Sequence, residues 1–493
     1  MSENTAIQES GSGELVKSID WKQGLIIAMG VPILILPSIF DISDTVWAFS
    51  IIIWSVSVIQ GFLQNFAIGE MAAALEVPGI GACAQKIFYN PDKPHKKYCF
   101  GRFLGAFTAW SYWFTWTPVI PIFTIMTGTY LQEFITPLAG VNPTILNLIL
   151  GFLIYSLIIS AGMRGLSGGA KLGLVLTAIT IIPLVVVCVI PFFTGDFNFS
   201  YIQTEFLPPE WGWTTNDIFM IFGTFAFAQW SACAWESTAT YGAEYKEPGK
   251  NLPKALIGCG LICLFIYALV STSVFGTLGI EGINEAGYAT LVPIAIADFG
   301  QIGSWIALIL LVAGMVMLIQ TAFLGSSRTL FFMGQQGNMP KIFGKTNKND
   351  APIYAMIFQF IVGMCMIPIG SPAMILAASS FGFCIALGMA MVCFIIFRRS
   401  DRWAEVREKR EYIAPRGWFG VAIGIMIYQF FVLIPCLAVW STQMFGIQAV
   451  ILGAVILLAY VPLWLILQYK ENSALRTAPE EAPEGPIENT QSA

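Results

Sequence analysis

One carboxylate, Glu236, lies well inside a long apolar run of this 493-residue chain. The sequence around it reads WSACAWESTATYG, so small residues precede the acid, and Trp230 and Trp235 flank the small residues. A carboxylate at the centre of a bilayer costs about 2.5 kcal/mol or more on insertion scales, and such residues usually serve a function. The pattern predicts a functional role for Glu236, with hydrogen bonding to a frayed helix backbone as the alternative.

A second irregular segment, MGVPILILPSIF at 29–40, places Gly30, Pro32 and Pro37 inside the first apolar run. Proline lacks a backbone donor and clashes with the preceding helical turn. In hydrocarbon, freed backbone groups are tolerated only where protein or a wet cavity satisfies them. The segment indicates a broken helix beside a binding site, and a simple proline kink is the alternative.

Three tryptophans, Trp110, Trp113 and Trp116, recur at three-residue spacing and therefore share one face of a helix. Such a wall could hold a cation or a quaternary ammonium by cation–π attraction. An interface belt or ordinary helix packing is the alternative, and it is the commoner use of tryptophans near one end of a span.

Composition places these segments in a membrane protein, because 56% of the residues are hydrophobic and only 11% are charged. A soluble chain would have about 25% charged residues. His95 is the only histidine, and the ten cysteines form no Cys-x-x-Cys pair, which argues against metal sites and histidine-based catalysis. With no P-loop and no basic patch, we expect neither an enzyme nor a partner of nucleic acid.

The long apolar runs predict an all-α membrane protein with twelve spans, since about 20 apolar residues cross the hydrocarbon core. The spans are 24–42, 46–70, 103–135, 144–162, 170–193, 217–242, 254–279, 302–332, 352–370, 373–397, 418–440 and 447–468. The third and eighth are longer than the bilayer requires, and Pro118 and Pro121 should kink the third.

All 25 lysines and arginines can be placed on one side of the membrane. Outside the N-terminal tail they fall in alternate connections, around 86–102, 164–171, 244–254, 328–348, 398–416 and 470–476. Cytoplasmic loops collect lysine and arginine, so both ends should be cytoplasmic in a multi-pass protein of the cell membrane. The sequence carries no signature of a particular oligomeric state.

The two irregular segments lie in spans one and six, which are five spans apart. Interruptions at matching positions of two five-span halves indicate an inverted repeat with the site between them. The predicted organisation is a polar, disordered cytoplasmic tail at 1–18, a transporter domain at 19–470 and a second disordered tail at 471–493. Within that domain, repeat one covers about 24–193, repeat two about 217–397, and helices eleven and twelve about 418–468.

Three separated segments resemble the amino acid–polyamine–organocation (APC) superfamily of permeases. WSACAWESTATYGAEYKEPGKNLPKAL at 230–256 is similar to the sixth-helix region, with its small-residue break, acid and proline-containing turn. GEMAAALEVPGIGACAQKIF at 69–88 resembles the end of helix two, and SSRTLFFMGQQGNMPKIFGK at 326–345 the end of helix eight. The resemblance extends from about Trp21 to about 470 and implies discontinuous helices one and six.

The resemblance implies that Trp230 covers the substrate and that Glu236 takes part in coupling. Helix one departs from the family, which typically has Gly-Ser-Gly where this chain has Gly30, Val31 and Pro32. Pro32 has no amide hydrogen to offer a substrate carboxylate. An amine, a polyamine, a β- or γ-amino acid or a betaine-like compound is therefore an alternative to an α-amino acid, unless the amides of Val31 and Ile33 suffice.

The expected function is secondary active transport of an amino acid or related amine by alternating access, with a non-transporting nutrient sensor as the alternative. No cofactor is expected, and a proton, sodium or a counter-substrate would be the coupling solute. The lysine that some proton-coupled relatives carry in helix five is absent near Thr180. The partners are the small solute and the lipid bilayer. The predicted binding residues are Met29, Gly30, Val31, Pro32, Ile33, Trp230, Ser231, Ala232, Cys233, Ala234 and Trp235, with Glu236 for coupling.

Overall fold

The computed structural model describes residues 15–90, 99–164 and 166–477, and this part of the chain is helical apart from turns and one short backbone pairing. Apolar runs form the helices, and glycine, proline or polar residues separate them. The helices are α1 (Trp21–Ile27), α2 (Ile39–Val46), α3 (Ser50–Leu75), α4 (Gly79–Phe88), α5 (Phe100–Trp116), α6 (Val119–Phe134), α7 (Pro143–Gly162), α8 (Leu166–Val189), α9 (Pro191–Thr194), α10 (Phe199–Thr204), α11 (Thr215–Ala232), α12 (Pro248–Ala286), α13 (Leu291–Phe299), α14 (Gln301–Gln335), α15 (Ile353–Met366), α16 (Pro372–Arg399), α17 (Ala404–Lys409), α18 (Trp418–Ile427), α19 (Ile434–Phe445) and α20 (Ile447–Thr477).

Among the described residues, nine helical stretches are long and apolar enough to cross a bilayer, and Ile353–Ile369 is a shorter apolar stretch. The prediction of an all-α chain with many apolar spans is confirmed. On α7, α8 and α20 the large apolar side chains Phe152, Ile182 and Leu458 are more than half exposed. Apolar side chains on the outside are what a surface in contact with lipid requires.

The third predicted span, 103–135, is two helices. α5 ends at Trp116, α6 begins at Val119, and Pro118 stands between them. Pro121 lies in the first turn of α6, where a missing amide hydrogen is tolerated. The kink predicted in this span is therefore present, and it is a change of helix at Pro118.

Several helices run past their predicted ends. α14 has 35 residues, about 52 Å at 1.5 Å per residue. α12 continues to Ala286 through a change of direction at Gly279, whose φ of 62° suits glycine. α20 extends to Thr477, so residues 471–477 are helical although the sequence suggested a tail from 471. The other parts of the two predicted tails, 1–14 and 478–493, lie outside the described residues.

The connections that carry lysine and arginine contact one another at one end of the bundle, which we call the basic end. The contacts are Lys17 with Glu76, Arg102 with Glu471, Arg402 with the carbonyl of Tyr89, and Asn347 with the carbonyl of Met163. The opposite end, which we call the acidic end, is joined by Tyr288 with Asp41, Glu205 with the amide of Ile280, and Gln443 with Asn216.

At the basic end the segment before α1 pairs with the backbone that follows α11. The amides of Ser18 and Ile19 donate to the carbonyl of Glu244 at 2.8 and 3.1 Å, and the amide of Lys246 donates to the carbonyl of Ile19 at 3.0 Å. This is the one short pairing of extended backbone in the described part of the chain. It joins the start of the chain to the second irregular segment.

Candidate binding site

The first break separates α1 from α2, where the sequence places glycine and two prolines. α1 ends at Ile27, and a 3₁₀ segment, Val31–Ile35, leads to α2. Regular helical pairing cannot continue through Pro32, which has no amide hydrogen. The carbonyl of Ile27 accepts a hydrogen bond from Thr321 Oγ1 at 2.9 Å, and that of Val31 accepts one from the hydroxyl of Tyr267 at 3.2 Å. Side chains of α14 and α12 therefore satisfy carbonyl oxygens that the break frees.

Gly30 permits a close approach between the broken segment and α14. A Cβ atom at this position would lie 2.5 Å from Thr321 Oγ1 and 3.1 Å from the backbone oxygen of Met317. A backbone oxygen cannot move aside as the end of a flexible side chain can. Glycine is therefore the residue that fits where the first break lies against α14.

The second break follows α11. This helix ends at Ala232, and the chain continues as an 11-residue 3₁₀ segment, Ala234–Glu244. Cys233 stands between them and is held from α3: Asn65 Nδ2 donates to its carbonyl oxygen at 3.3 Å, and its Sγ donates to the carbonyl of Ser57 at 3.1 Å. A 3₁₀ segment of this length is uncommon and often marks a functional hinge.

The two breaks meet through a pair of hydroxyl groups. Ser38, just before α2, and Ser231, in the last turn of α11, have their Oγ atoms 3.2 Å apart. The residues predicted for the site are all buried on these two segments: Met29, Gly30, Val31, Pro32, Ile33, Trp230, Ser231, Ala232, Cys233, Ala234, Trp235 and Glu236. Ser38 was missed, although its place beside the second proline could have indicated it.

Glu236 lies in the 3₁₀ segment and is 1% exposed. The hydroxyl of Tyr112, on α5, donates to its Oε1 at 3.1 Å, and the indole of Trp116 lies beside the pair. Its Oε2 has no hydrogen-bond partner among the described residues. Its carboxylate is also close to the backbone amide of Ser237, so a role in holding the frayed backbone is compatible with this geometry.

The three tryptophans of α5 do not act as one wall. The indole nitrogen of Trp110 donates to the carbonyl of Ile456 at 3.0 Å, and its ring stacks on Tyr460 with centroids 5.2 Å apart. Trp113 packs on Trp110 at 4.5 Å. Trp110 therefore joins α5 to α20, as the packing alternative supposed, and Trp113 packs between Trp110 and Phe358 of α15. Only Trp116 lies beside Glu236.

The two tryptophans of the second break have different surroundings. Trp235 lies against α3, with its ring 4.8 Å from that of Phe62, and a Cβ atom at Gly61 would be 2.8 Å from its Nε1. It therefore fills space between helices. Trp230 is 1% exposed, and its indole nitrogen has no hydrogen-bond partner within the described part of the chain.

One face of α3 adds polar groups to the site that the sequence patterns did not indicate. Ser57, Gln64 and Asn65 are at most 1% exposed and recur at helical spacing. Ser57 Oγ, both amide atoms of Gln64 and Asn65 Oδ1 have no hydrogen-bond partner among the residues that the structure describes. Because Asn65 and the carbonyl of Ser57 contact Cys233, these groups surround the second break.

A buried ion pair ends the second broken segment. Arg328, on α14, donates to both carboxylate oxygens of Glu244, with Nη2 3.1 Å from Oε2, and the two side chains are 4% and 6% exposed. The guanidinium also lies 5.3 Å from the ring centroid of Tyr241. Arg328 falls at the end of the eighth predicted span, 302–332, where the basic connection around 328–348 begins, and it lies in α14. The planar fork of arginine suits this two-point contact with a carboxylate.

Comparison with known proteins identifies the family. The Amino acid permease family matches residues 19–459. An uncharacterized amino acid permease of Bacillus subtilis, YecA, is 26% identical over 341 residues, which are 67% of this chain and 72% of that protein. The D-serine/D-alanine/glycine transporter of Escherichia coli K12 is 22% identical over 333 residues, 64% of this chain and 68% of the transporter. The general amino-acid permease GAP2 of Candida albicans is 23% identical over 354 residues, 68% of this chain and 56% of GAP2.

A helical chain with many apolar spans and two broken helices in contact is consistent with a membrane permease. The chain belongs to the amino acid permease family of the APC superfamily, as its three sequence segments indicated. Members of this family are transporters and not enzymes.

Proposed function

We propose that the protein is a secondary transporter that carries an amino acid or a closely related amine across the cell membrane by alternating access. The contact between Ser38 and Ser231 carries this proposal, because it joins two helices that are both interrupted. Half-helix ends and unwound backbone give a small polar solute partners at mid-depth in a membrane. The D-serine/D-alanine/glycine transporter among its relatives supports a solute of this size.

The proposed architecture has twelve crossings and a five-plus-five inverted repeat. Its support is that the two breaks fall in the first and sixth predicted spans. The basic end would face the cytoplasm together with both termini, since lysine and arginine accumulate there. Movement of the two broken helices against α3 and α14 would then open the site to each side in turn.

The substrate would lie between 29–33 and 230–235, with its ammonium group as the main recognition element. The backbone amides of Val31 and Ile33 already donate to the carbonyls of Ala28 and Gly30, at 3.0 and 3.1 Å. Pro32 has no amide hydrogen. A substrate carboxylate therefore finds few donors in this segment, which favours the second candidate, an amine, polyamine or betaine-like solute.

Glu236 would couple transport to a second solute. Its contact with Tyr112 joins the second break to α5, so a change at the carboxylate reaches both elements. A proton, sodium or a counter-substrate would serve as the coupling solute, and no cofactor is needed. An ionised carboxylate buried in a bilayer requires a compensating cation or donor. The stability of its charged form therefore depends on whether a coupling solute is bound beside it.

A counterflow assay tests the proposal. The purified full chain is placed in liposomes loaded with unlabelled amino acids, diamines or betaines, and entry of the labelled compound is followed. We expect saturable counterflow with at least one class, and none in liposomes without protein. Binding of such a compound without counterflow would instead identify a nutrient sensor.

A further inference from the structure

Asp41 is a buried acid that the proposed site does not use. It is the third residue of α2 and is 4% exposed. Its Oδ1 accepts a hydrogen bond from the hydroxyl of Tyr288 at 3.0 Å, and its Oδ2 has no hydrogen-bond partner among the described residues. A buried carboxylate is normally paired with a cation or with several donors.

Among the described residues, the elements packed against α2 supply no cation near Asp41. α2 packs against α3, α11, α12 and the turn Gly287–Ala289. α3, α11 and that turn contain no lysine or arginine, and those of α12, Lys250 and Lys254, are at the basic end of the helix. Two further charged groups at the acidic end are exposed acids: Asp44 on α2, and Glu285 beside a pocket of about 380 Å³.

Aromatic side chains fix the geometry around Asp41. The ring of Tyr288 meets that of Phe40 edge-on with centroids 5.2 Å apart. The hydroxyl of Tyr130 donates to the carbonyl of Tyr288 at 3.1 Å. The tyrosine that contacts Asp41 is therefore held from two sides, and the rings offer π faces that attract cations.

Asp41 is also close to the point where the breaks meet. It follows Ser38 by three residues, a rise of about 4.5 Å along a helix. Ser38 contacts Ser231 of the second break. A solute group bound at Asp41 is therefore close enough to the two breaks for one small solute to contact both breaks and Asp41.

We infer that Asp41 binds a primary ammonium group of the transported solute, on the acidic-end side of the two breaks. This inference rests on the proposed function. The ammonium supplies both the missing positive charge and the N–H donor for Oδ2, a combination that makes charge-assisted hydrogen bonds strong. A quaternary ammonium has no N–H, so the substrate class is primary amines, including amino acids, and not betaines.

Competition by methylated analogues tests this class in the unmodified protein. Labelled glycine, 4-aminobutanoate and 1,4-diaminobutane are tried in the counterflow assay, and the active one competes with its own N-methyl, N,N-dimethyl and N,N,N-trimethyl forms. We expect the inhibition constant to rise with each methyl group and the trimethyl form to compete at least tenfold more weakly than the parent. Equal competition by the parent and trimethyl forms would overturn the inference.

Variants then assign the effect to Asp41. Asp41→Asn removes the charge at nearly constant shape, so we expect the KM of the active probe to rise at least tenfold and the preference for the parent over the trimethyl form to fall below threefold. Asp44→Asn, an exposed acid on the same helix, should change the KM less than twofold. An unchanged KM and preference in Asp41→Asn would contradict the assignment.

Two further measurements separate failure of the inference from other failures. If Asp41→Asn does not insert, Tyr288→Phe is used. It removes the hydrogen bond that orients the carboxylate and should raise the KM three- to tenfold, and an unchanged KM counts against the inference. If no probe gives counterflow, the proposed transport fails. The melting temperature of the purified chain then tests whether Asp41 binds the amine. The parent amines should raise the melting temperature of the wild type and not that of Asp41→Asn. The absence of any rise in the wild type overturns the inference.

Discussion

Glu236 and Tyr112 connect the second broken helix to α5 through one hydrogen bond of 3.1 Å. Glu236→Gln keeps the shape of the side chain but removes its charge and its ability to exchange a proton. We expect the variant to insert normally and to lose pH-dependent or coupled uptake, measured in liposomes over a range of external pH. Tyr112→Phe removes only the hydrogen bond and leaves the acid, so comparing the two variants separates loss of the carboxylate from loss of its hydrogen bond. Native pH dependence in Glu236→Gln would exclude the carboxylate from coupling.

Trp230 is a large aromatic side chain at the end of α11, with an indole nitrogen that lacks a partner in the described part of the chain. If it covers the substrate, Trp230→Ala should weaken apparent affinity by about 1–3 kcal/mol, the scale of a desolvated cation–π or stacking contact. The measurement is the KM of counterflow. Trp110→Phe serves as the control, since Trp110 packs on Tyr460, and its KM should be unchanged. An unaltered KM in Trp230→Ala would remove it from the site.

For single residues, the sequence indicated the buried acid Glu236 but not the residues around it, because those are brought together only by the fold. Glu236 was recognisable because an acid inside an apolar run is rare. Tyr112 was not, because hydroxyl groups are common in apolar helices and its partner is distant in the sequence; for Ser38 the only signal was its place beside Pro37. Asn65 was missed for the same reason: it contacts Cys233, which is 168 residues away.

At the scale of elements, the breaks followed from local chemistry, since proline and glycine interrupt a helix whatever surrounds it. The ends of the helices were predicted less accurately from the sequence. α20 continues beyond its apolar residues through a polar segment, and hydropathy does not detect a helix of that kind. The sequence could not show whether the amides of Val31 and Ile33 are free to bind a substrate. The backbone of the structure shows that both already donate hydrogen bonds within the first break.

The fit of the first break against α14 can be tested with Gly30→Ala. The added methyl group would meet Thr321 and the backbone of Met317, so we expect destabilisation of about 1–3 kcal/mol, the range for overpacking. The measurement is thermal unfolding of the purified chain in detergent. Gly258→Ala is the matched control, because its Cβ would lie 3.7 Å from Leu25, an ordinary contact. Equal melting temperatures for the two variants would show that Gly30 is not sterically required.

At the scale of the whole molecule, the separation of charge was readable from the sequence, and contacts among its basic connections support it. Arg102 joins the start of α5 to Glu471 near the end of the chain. The burial of Arg328 against Glu244 was not readable, because a basic residue beside a predicted loop normally faces water. Burial of this kind depends on how α14 packs against the second broken segment.

The orientation in the membrane makes a prediction about lysine labelling. An impermeant amine-reactive reagent added to intact cells should not label the protein, because every lysine belongs to connections expected on the cytoplasmic side. The same reagent should label it after the cells are permeabilised. Glu285→Lys places a lysine at the exposed acidic end and should be labelled in intact cells. Labelling of the native protein from outside would reverse the proposed orientation.

The pairing of Ser18 and Ile19 with the backbone around Glu244 has a practical consequence. In the proposed alternating-access cycle, opening of the basic end would either release this short strand or move it together with the second broken segment. A fluorophore attached just ahead of residue 18 would then report the conformational cycle in single molecules without a label inside the permeation route. Affinity tags for purification are better fused to the other terminus.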